Sequence, residues 1–217
     1  VADVGDLLLP PGGIKRSLGA IGAAVGKLAQ ADKIPIILGG EHLLTWPVVE
    51  ALVRLHGPEL TVLQFDAHAD LRSKYEGEEL SHATALRHVA SVVAPSNIYQ
   101  FGIRSATAEE LSYAREHTHF FPFQVVQPLT EVRQNLLNRP VYVSIDMDVF
   151  DPAFAPGVGT PEPGGQSVAD MLTALQLLKG LNIVGADIVE VCPPFDPSER
   201  TAALAALLIR ELLLLCD

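Results

Sequence analysis

The chain has 217 residues, 48% hydrophobic and 19% charged, which excludes intrinsic disorder and leaves room for one substantial core. Lys and Arg number 15 against 26 Asp and Glu, a formal net charge of -11, so nucleic acid and anionic membranes are poor partners and cationic small molecules or metal ions better ones. The two cysteines, Cys192 and Cys216, are too few for a disulfide framework and fit a reducing cytoplasm.

In chain order, residues 1–4 form a weak strand candidate. Ile14, Leu18, Ile21, Val25 and Leu28 then make one apolar helical stripe. Residues 34–38, 60–65 and 98–101 are short, apolar and rich in β-branched or aromatic side chains, as buried strands are. Thr107 with Glu110 marks a helix N-terminus, and residues 120–126 are a second weak strand candidate. Residues 141–145 form the next strand, followed by a helix that Ser167 and Asp170 cap and Gly180 ends. Its Val168, Met171, Leu172, Leu175 and Leu178 share one face. Residues 183–189 are the last strand, and a final helix runs from about Thr201 toward the C-terminus. The longest apolar run, residues 202–209, stops at Arg210-Glu211, well short of the ~20 residues that span a bilayer. Buried strands alternating with helices imply an α/β fold, one three-layer α/β/α domain over residues 1–217 with a mainly parallel sheet. Sites in such sheets form at the carboxyl ends of strands.

Chemistry-bearing side chains collect at those ends. Residues 60–65 run into Asp66-Ala-His68-Ala-Asp70, three metal-ligand types at i, i+2 and i+4, which point to one side if the backbone stays extended. Residues 141–145 run into Asp146-Met-Asp148, residues 34–38 into Gly39-Gly40-Glu41-His42, and residues 183–189 into Glu190. Each alone has a plainer reading: an Asp after a strand is usually a cap or turn residue, Gly39-Gly40 a tight turn, and His42 a hydrogen-bonded histidine. Together they favour a metal site, because carboxylates converging at ~4 Å cannot all stay ionised without a counter-cation. Two divalent ions would balance the four aspartates, and an oxygen-rich set with some imidazole suits a hard ion such as Mn²⁺. His56, His88, His117 and His119 have no such company and are read as surface or packing residues.

The segments Gly39-Gly-Glu-His42, Asp66-Ala-His-Ala-Asp70, Ser144-Ile-Asp-Met-Asp-Val-Phe-Asp-Pro152 and Pro156-Gly-Val-Gly-Thr-Pro-Glu-Pro-Gly-Gly165 resemble the signatures of the ureohydrolases, the arginase and agmatinase family. Gly102-Ile-Arg-Ser105 and Glu190-Val-Cys-Pro-Pro-Phe-Asp196 also look like family segments. The resemblance implies an arginase-like fold and two Mn²⁺ ions per chain. His42, Asp66, Asp70 and Asp146 would hold one ion, and Asp66, His68, Asp146 and Asp148 the other. It implies attack of metal-activated water on a guanidinium carbon and collapse to urea and an amine. Asp70 would carry a proton to the leaving nitrogen, Glu190 would pair with the guanidinium, and His82, in Leu80-Ser-His-Ala-Thr84, would shuttle protons. A cytoplasmic homo-oligomer, trimer or hexamer, is expected from the same likeness.

Within the family, Glu76, Glu78 and Glu79 before His82 would repel a substrate carboxylate and favour agmatine over arginine; a plain solvated loop explains them as well. Guanidinobutyrate, arginine, formiminoglutamate and aminopropylagmatine are the rival substrates, and a non-catalytic paralogue the rival class. A dinucleotide-binding protein would need a Gly-x-Gly-x-x-Gly turn, which Gly39-Gly40-Glu41-His42 lacks. The chain departs from the family pattern at Leu43, Ala83 and Cys192, where Ser, Gly and Asn are usual, and at none of the ligand positions. Family members usually begin with a further segment containing a Gly/Pro/Arg-rich loop and the first strand, which nothing before Val1 matches, so the 217 residues are expected to form a single catalytic domain lacking that segment or to be a fragment of a longer chain.

Overall fold

The structure, a computed structural model, describes residues 1–216. Helix α1 (Ile14–Gln30) follows the predicted stripe, burying Leu18, Ile21, Val25 and Ala29. Strand β1 (Ile36–Leu38) is shorter than expected. Helix α2 (Thr45–His56), which the sequence reading passed over, ends at Gly57, whose φ of 84° a side chain would disfavour. Then come β2 (Thr61–Phe65), α3 (Ala85–Val89) and β3 (Ile98–Phe101). Helix α4 (Ala108–His117) opens on the predicted capping box: Thr107 Oγ1 accepts from Glu110 N–H at 3.3 Å, and the Glu110 carboxylate accepts from Thr107 N–H at 2.8 Å. Next are β4 (His119–Phe121), α5 (Val126–Leu136), β5 (Pro140–Asp146) and α6 (Val168–Leu177), the last capped by Ser167 and Asp170 as expected. Strand β6 (Asn182–Val189) and helix α7 (Arg200–Leu215) complete the order.

Both weak strand candidates need correction. Residues 1–4 are exposed and pair with nothing in the sheet. Of residues 120–126 only Phe120 and Phe121 pair in the sheet; the chain then folds back so that Gly102 N–H reaches the carbonyls of both Phe121 and Gln124, and Val126 already starts α5. Short apolar runs do not fix where a strand stops, because pairing partners decide it.

All pairings in the six-stranded sheet are parallel, in the order β1-β6-β5-β2-β3-β4. Alternate strand residues feed two cores. Leu63, Phe65, Val141, Val143 and Ile145 pack toward one face with Leu129, Met171, Leu175 and Leu208 from α5, α6 and α7. Val62, Ile98, Tyr142 and Val184 pack toward the other with Val25, Val48, Leu52 and Leu86 from α1, α2 and α3. Helices thus cover both faces, as continuous apolar strands require. From β2 the chain winds outward to β3 and β4, whereas from β5 it winds the opposite way to β6. The order reverses between β2 and β5, where the carboxyl ends splay into a crevice. Asp66 and Asp146 stand at those two ends. Among the described residues no helix is long and apolar enough to cross a membrane.

Candidate metal centre and active site

Four strand ends build the site. After β1, Gly39 lets the chain pass close to β6: a Cβ there would collide with Leu44 Cδ2 and lie 2.9 Å from Val189 Cγ1. The turn delivers His42, fully buried, into the crevice. Glu190, just past β6, locks this arrangement. Its N–H donates to Gly40 O at 2.9 Å, and its Oε1 accepts from His42 N–H at 2.7 Å. One carboxylate oxygen of Glu190 is therefore committed to backbone.

His42 Nδ1 faces three carboxylate oxygens: Asp70 Oδ2 at 3.0 Å, Asp66 Oδ2 at 3.2 Å and Asp146 Oδ2 at 3.3 Å. The nitrogen is buried and has no hydrogen-bond partner. Beside it, His68 Nδ1 lies 2.8 Å from Asp148 Oδ2 and 3.7 Å from Asp66 Oδ1. Two sets could hold an ion, His42–Asp66–Asp146 and Asp66–His68–Asp148, with the ligand atoms of each within 4.8 Å of one another and Asp66 common to both. Asp70 is in neither set but stands close to His42. Asp146 Oδ1 accepts from Asp148 N–H at 2.9 Å, which orients Asp146 Oδ2 toward His42.

The electrostatics fit a cation. Burial, then the charges of Asp148 and Asp70, push the Asp66 carboxyl up to about 8. Asp146 rises well above the usual range by burial and by Asp148 and Asp66. Burial would lower His68, but its bond to Asp148 and the surrounding aspartates raise it to about 9. Without a cation the cluster must hold protons to offset its own charge; divalent ions would replace them. A buried imidazole nitrogen aimed at carboxylate oxygens, in an oxygen-rich set, matches a hard divalent metal in chemistry.

Two site residues adopt left-handed backbone, Asp70 with φ 52° and Glu190 with φ 65°. Such conformations cost a non-glycine residue of order 1–3 kcal/mol and persist where surroundings over-determine them. At Asp70 this ends the extended run that was expected through the Asp66 segment, yet its carboxylate still turns back to His42. Glu110 secures the following residue, accepting from Leu71 N–H at 3.1 Å.

His82 lies at the rim rather than among the ligand sets, its side chain 37% exposed. Glu41 accepts from its backbone N–H and stands 3.6 Å from its Nδ1. The Tyr75 ring meets its ring edge-on at a centroid distance of 5.2 Å. Glu41, together with the charges of Asp70 and Glu190, raises the His82 pKa against partial burial. In the acidic loop, Glu79 pairs with Lys74 at 3.3 Å, while Glu76 and Glu78 are exposed. His88 stacks on Trp46 and His119 on Tyr99, the packing roles expected of them.

Sequence reasoning missed the residues that orient the ligands. Gln64 Nε2 donates to Asp66 Oδ2 at 2.7 Å, and Gln64 Oε1 accepts from Gln100 Nε2 at 2.7 Å. Ser144 Oγ contacts His42 Nε2 at 3.0 Å and donates to Asp187 at 2.7 Å. Arg104 reaches carbonyls of Asp148, Val149, Phe150 and Glu162, tying the two loops together. A signal for the strand residues was present: Gln64, Gln100, Ser144 and Asp187 are polar positions inside strands that should be apolar on both faces.

The arginase family model matches residues 1–215. Agmatinase of Halalkalibacterium halodurans is 48% identical over 215 residues, 98% of this chain and 74% of that protein. Guanidinopropionase of Pseudomonas aeruginosa is 37% identical over 227 residues, 99% of this chain and 71% of that protein. Among solved structures, one described as a candidate agmatinase from Clostridium difficile superposes with a TM-score of 0.93 at 36% identity, covering 98% of this chain and 78% of the other. With the family model running through almost the whole sequence and the fold superposing closely over 98% of the chain, the chain belongs to the arginase family.

Proposed function

We propose that this chain is a metal-dependent amidinohydrolase that cleaves agmatine to urea and putrescine, using two Mn²⁺ ions. The observation that carries the metal centre is His42 Nδ1, buried, unpartnered and faced by Asp66, Asp70 and Asp146. Agmatine is favoured by the 48% identity to an agmatinase over the 37% to a guanidinopropionase, and by a site rich in carboxylates. The reading includes a cytoplasmic homo-oligomer, trimer or hexamer, which rests on the resemblance and on the scarcity of cysteine.

His42, Asp66, Asp70 and Asp146 would hold one ion and Asp66, His68, Asp146 and Asp148 the other. Bound divalent ions supply Lewis acidity and an activated water. The chain supplies position and proton traffic. Glu190, with one oxygen bonded to His42 N–H, offers the other to the guanidinium in a charge-assisted bond. Asp70 delivers a proton to the leaving nitrogen, and His82 exchanges protons with solvent from the rim. A cation is drawn to this carboxylate-lined crevice and an anion is not.

Urea release from a panel of guanidino compounds tests the substrate. Agmatine should exceed arginine in kcat/KM by at least ~10-fold, or ~1.4 kcal/mol of discrimination. Equal efficiency rejects agmatine as the substrate and leaves the hydrolase class standing; preference for guanidinopropionate would install the other relative's substrate. A second expectation concerns pH. Because Glu41 raises the His82 pKa, Glu41→Gln should move the His82 limb of the kcat/KM profile to lower pH. An unmoved limb in a metal-loaded variant would remove His82 from the rate profile.

A further inference from the structure

Beneath the candidate ligands lies a row of buried polar side chains. Gln100, Gln64, Ser144 and Asp187 sit on the adjacent strands β3, β2, β5 and β6 and pair in register, Gln64 with Gln100 and with Ser144, Ser144 with Asp187. All four are fully buried. Strands covered on both faces normally carry apolar residues there, and unsatisfied polar groups at such depth are costly.

Asp187 is the charged member. Its Oδ1 accepts from Ser144 Oγ–H at 2.7 Å, and its Oδ2 from Thr45 Oγ1–H at 2.7 Å and from Tyr142 O–H. Among the described residues it forms no ion pair: three hydroxyls, and no Lys or Arg, answer it. A serine hydroxyl has one proton to give. Ser144 gives that proton to Asp187, so its oxygen can only accept from His42 Nε2, 3.0 Å away. The Nε2–H form of the neutral imidazole leaves a lone pair on Nδ1. That is the atom the structure leaves unpartnered among three carboxylates.

We propose that Asp187 is a positioning residue: acting through Ser144, it fixes His42 in the Nε2–H tautomer and so presents Nδ1 as the metal-binding atom. Asp187 touches neither an ion nor substrate. Thr45 and Tyr142 both donate to its second oxygen, so Thr45 alone still holds that oxygen and leaves the first to Ser144. The inference rests on the reading of this site as a metal centre, and it predicts a hierarchy that mere packing of a buried cluster would not produce. Loss of Ser144 or of the Asp187 charge should weaken the ion held by His42 and spare the one held by His68. Loss of the Tyr142 hydroxyl, which leaves the path from Asp187 through Ser144 intact, should not weaken either.

The test is titration of Mn²⁺ into metal-stripped protein, with calorimetric affinities and stoichiometry, beside the thermal transition of each stripped variant. Asp187→Asn and Ser144→Ala should each lower affinity at one of two sites by ~10–100-fold, the range for groups that orient metal ligands. The double variant should be no worse than Ser144→Ala, because the two act in series. Tyr142→Phe should bind as wild type does, whatever its thermal transition. Wild-type affinity in Asp187→Asn or in Ser144→Ala, or additive losses in the double variant, would overturn the inference; should Asp187→Asn fail to fold, Ser144→Ala against Tyr142→Phe decides alone. Wild-type protein that binds no Mn²⁺ would instead overturn the metal centre itself, so the two failures are distinguishable.

Discussion

Asp146→Ala should abolish both metal retention and turnover. Asp146 closes β5 at the point where the strand order reverses, and its two oxygens do different work. Oδ2 lies 3.3 Å from His42 Nδ1, and Oδ1 holds the Asp148 N–H at 2.9 Å. The substitution removes a ligand from the His42 set and frees the turn that aims Asp148 at His68. Elemental analysis should find both ions lost, and kcat/KM should fall by at least ~10³-fold, since metal assistance is worth several kcal/mol. Stability reports the same event independently. An ion at 100 times its Kd stabilises a folded site by ~2.7 kcal/mol; the variant should lose the metal-dependent rise in Tm while the stripped protein melts no earlier, because a carboxyl that is buried and crowded by the charges of Asp148 and Asp66 has gone. Full metal content in Asp146→Ala would remove Asp146 from the ligand set.

Glu190→Gln should separate metal from substrate. The glutamine keeps the shape of the side chain, and its amide oxygen can still accept from His42 N–H, a bond of 2.7 Å. The turn that delivers His42 should therefore survive, and metal content should match wild type. What disappears is the charge proposed to face a guanidinium. With the reacting carbon no longer held, kcat/KM should drop by ~10²-fold, the usual scale for misplacement near 1 Å. Metal content and turnover are measured on one sample. Lost metal would make Glu190 a ligand, and retained activity would make it only the tie between β1 and β6.

How much of this was legible follows from where each kind of information resides. The capping boxes at Thr107 and Ser167 and the stripe of α1 could be read directly, because those interactions span three or four residues. The ligand candidates could also be read, since they stand immediately after strands whose apolar character marks them as parallel and buried. Strand limits at residues 1–4 and 120–126 could not: a strand exists only where a neighbour offers carbonyls and amides, and nothing local reveals the neighbour.

The sequence alone thus determined the fold class, the family likeness and the candidate metal-binding residues, because residue type and short spacing carry those properties. Only the tertiary structure decided their grouping: Asp66 shared between two ligand sets, Asp146 aimed at His42, one oxygen of Glu190 committed to backbone, Glu79 drawn off to Lys74 and Glu41 set against His82. It alone decided that Gln64, Gln100, Ser144 and Asp187, scattered over 124 positions from Gln64 to Asp187, form one row under the site. The physical reason is register. Which residues meet across a parallel sheet depends on strand order and pairing, set by the packing of two cores at once, and no local pattern in the chain encodes it.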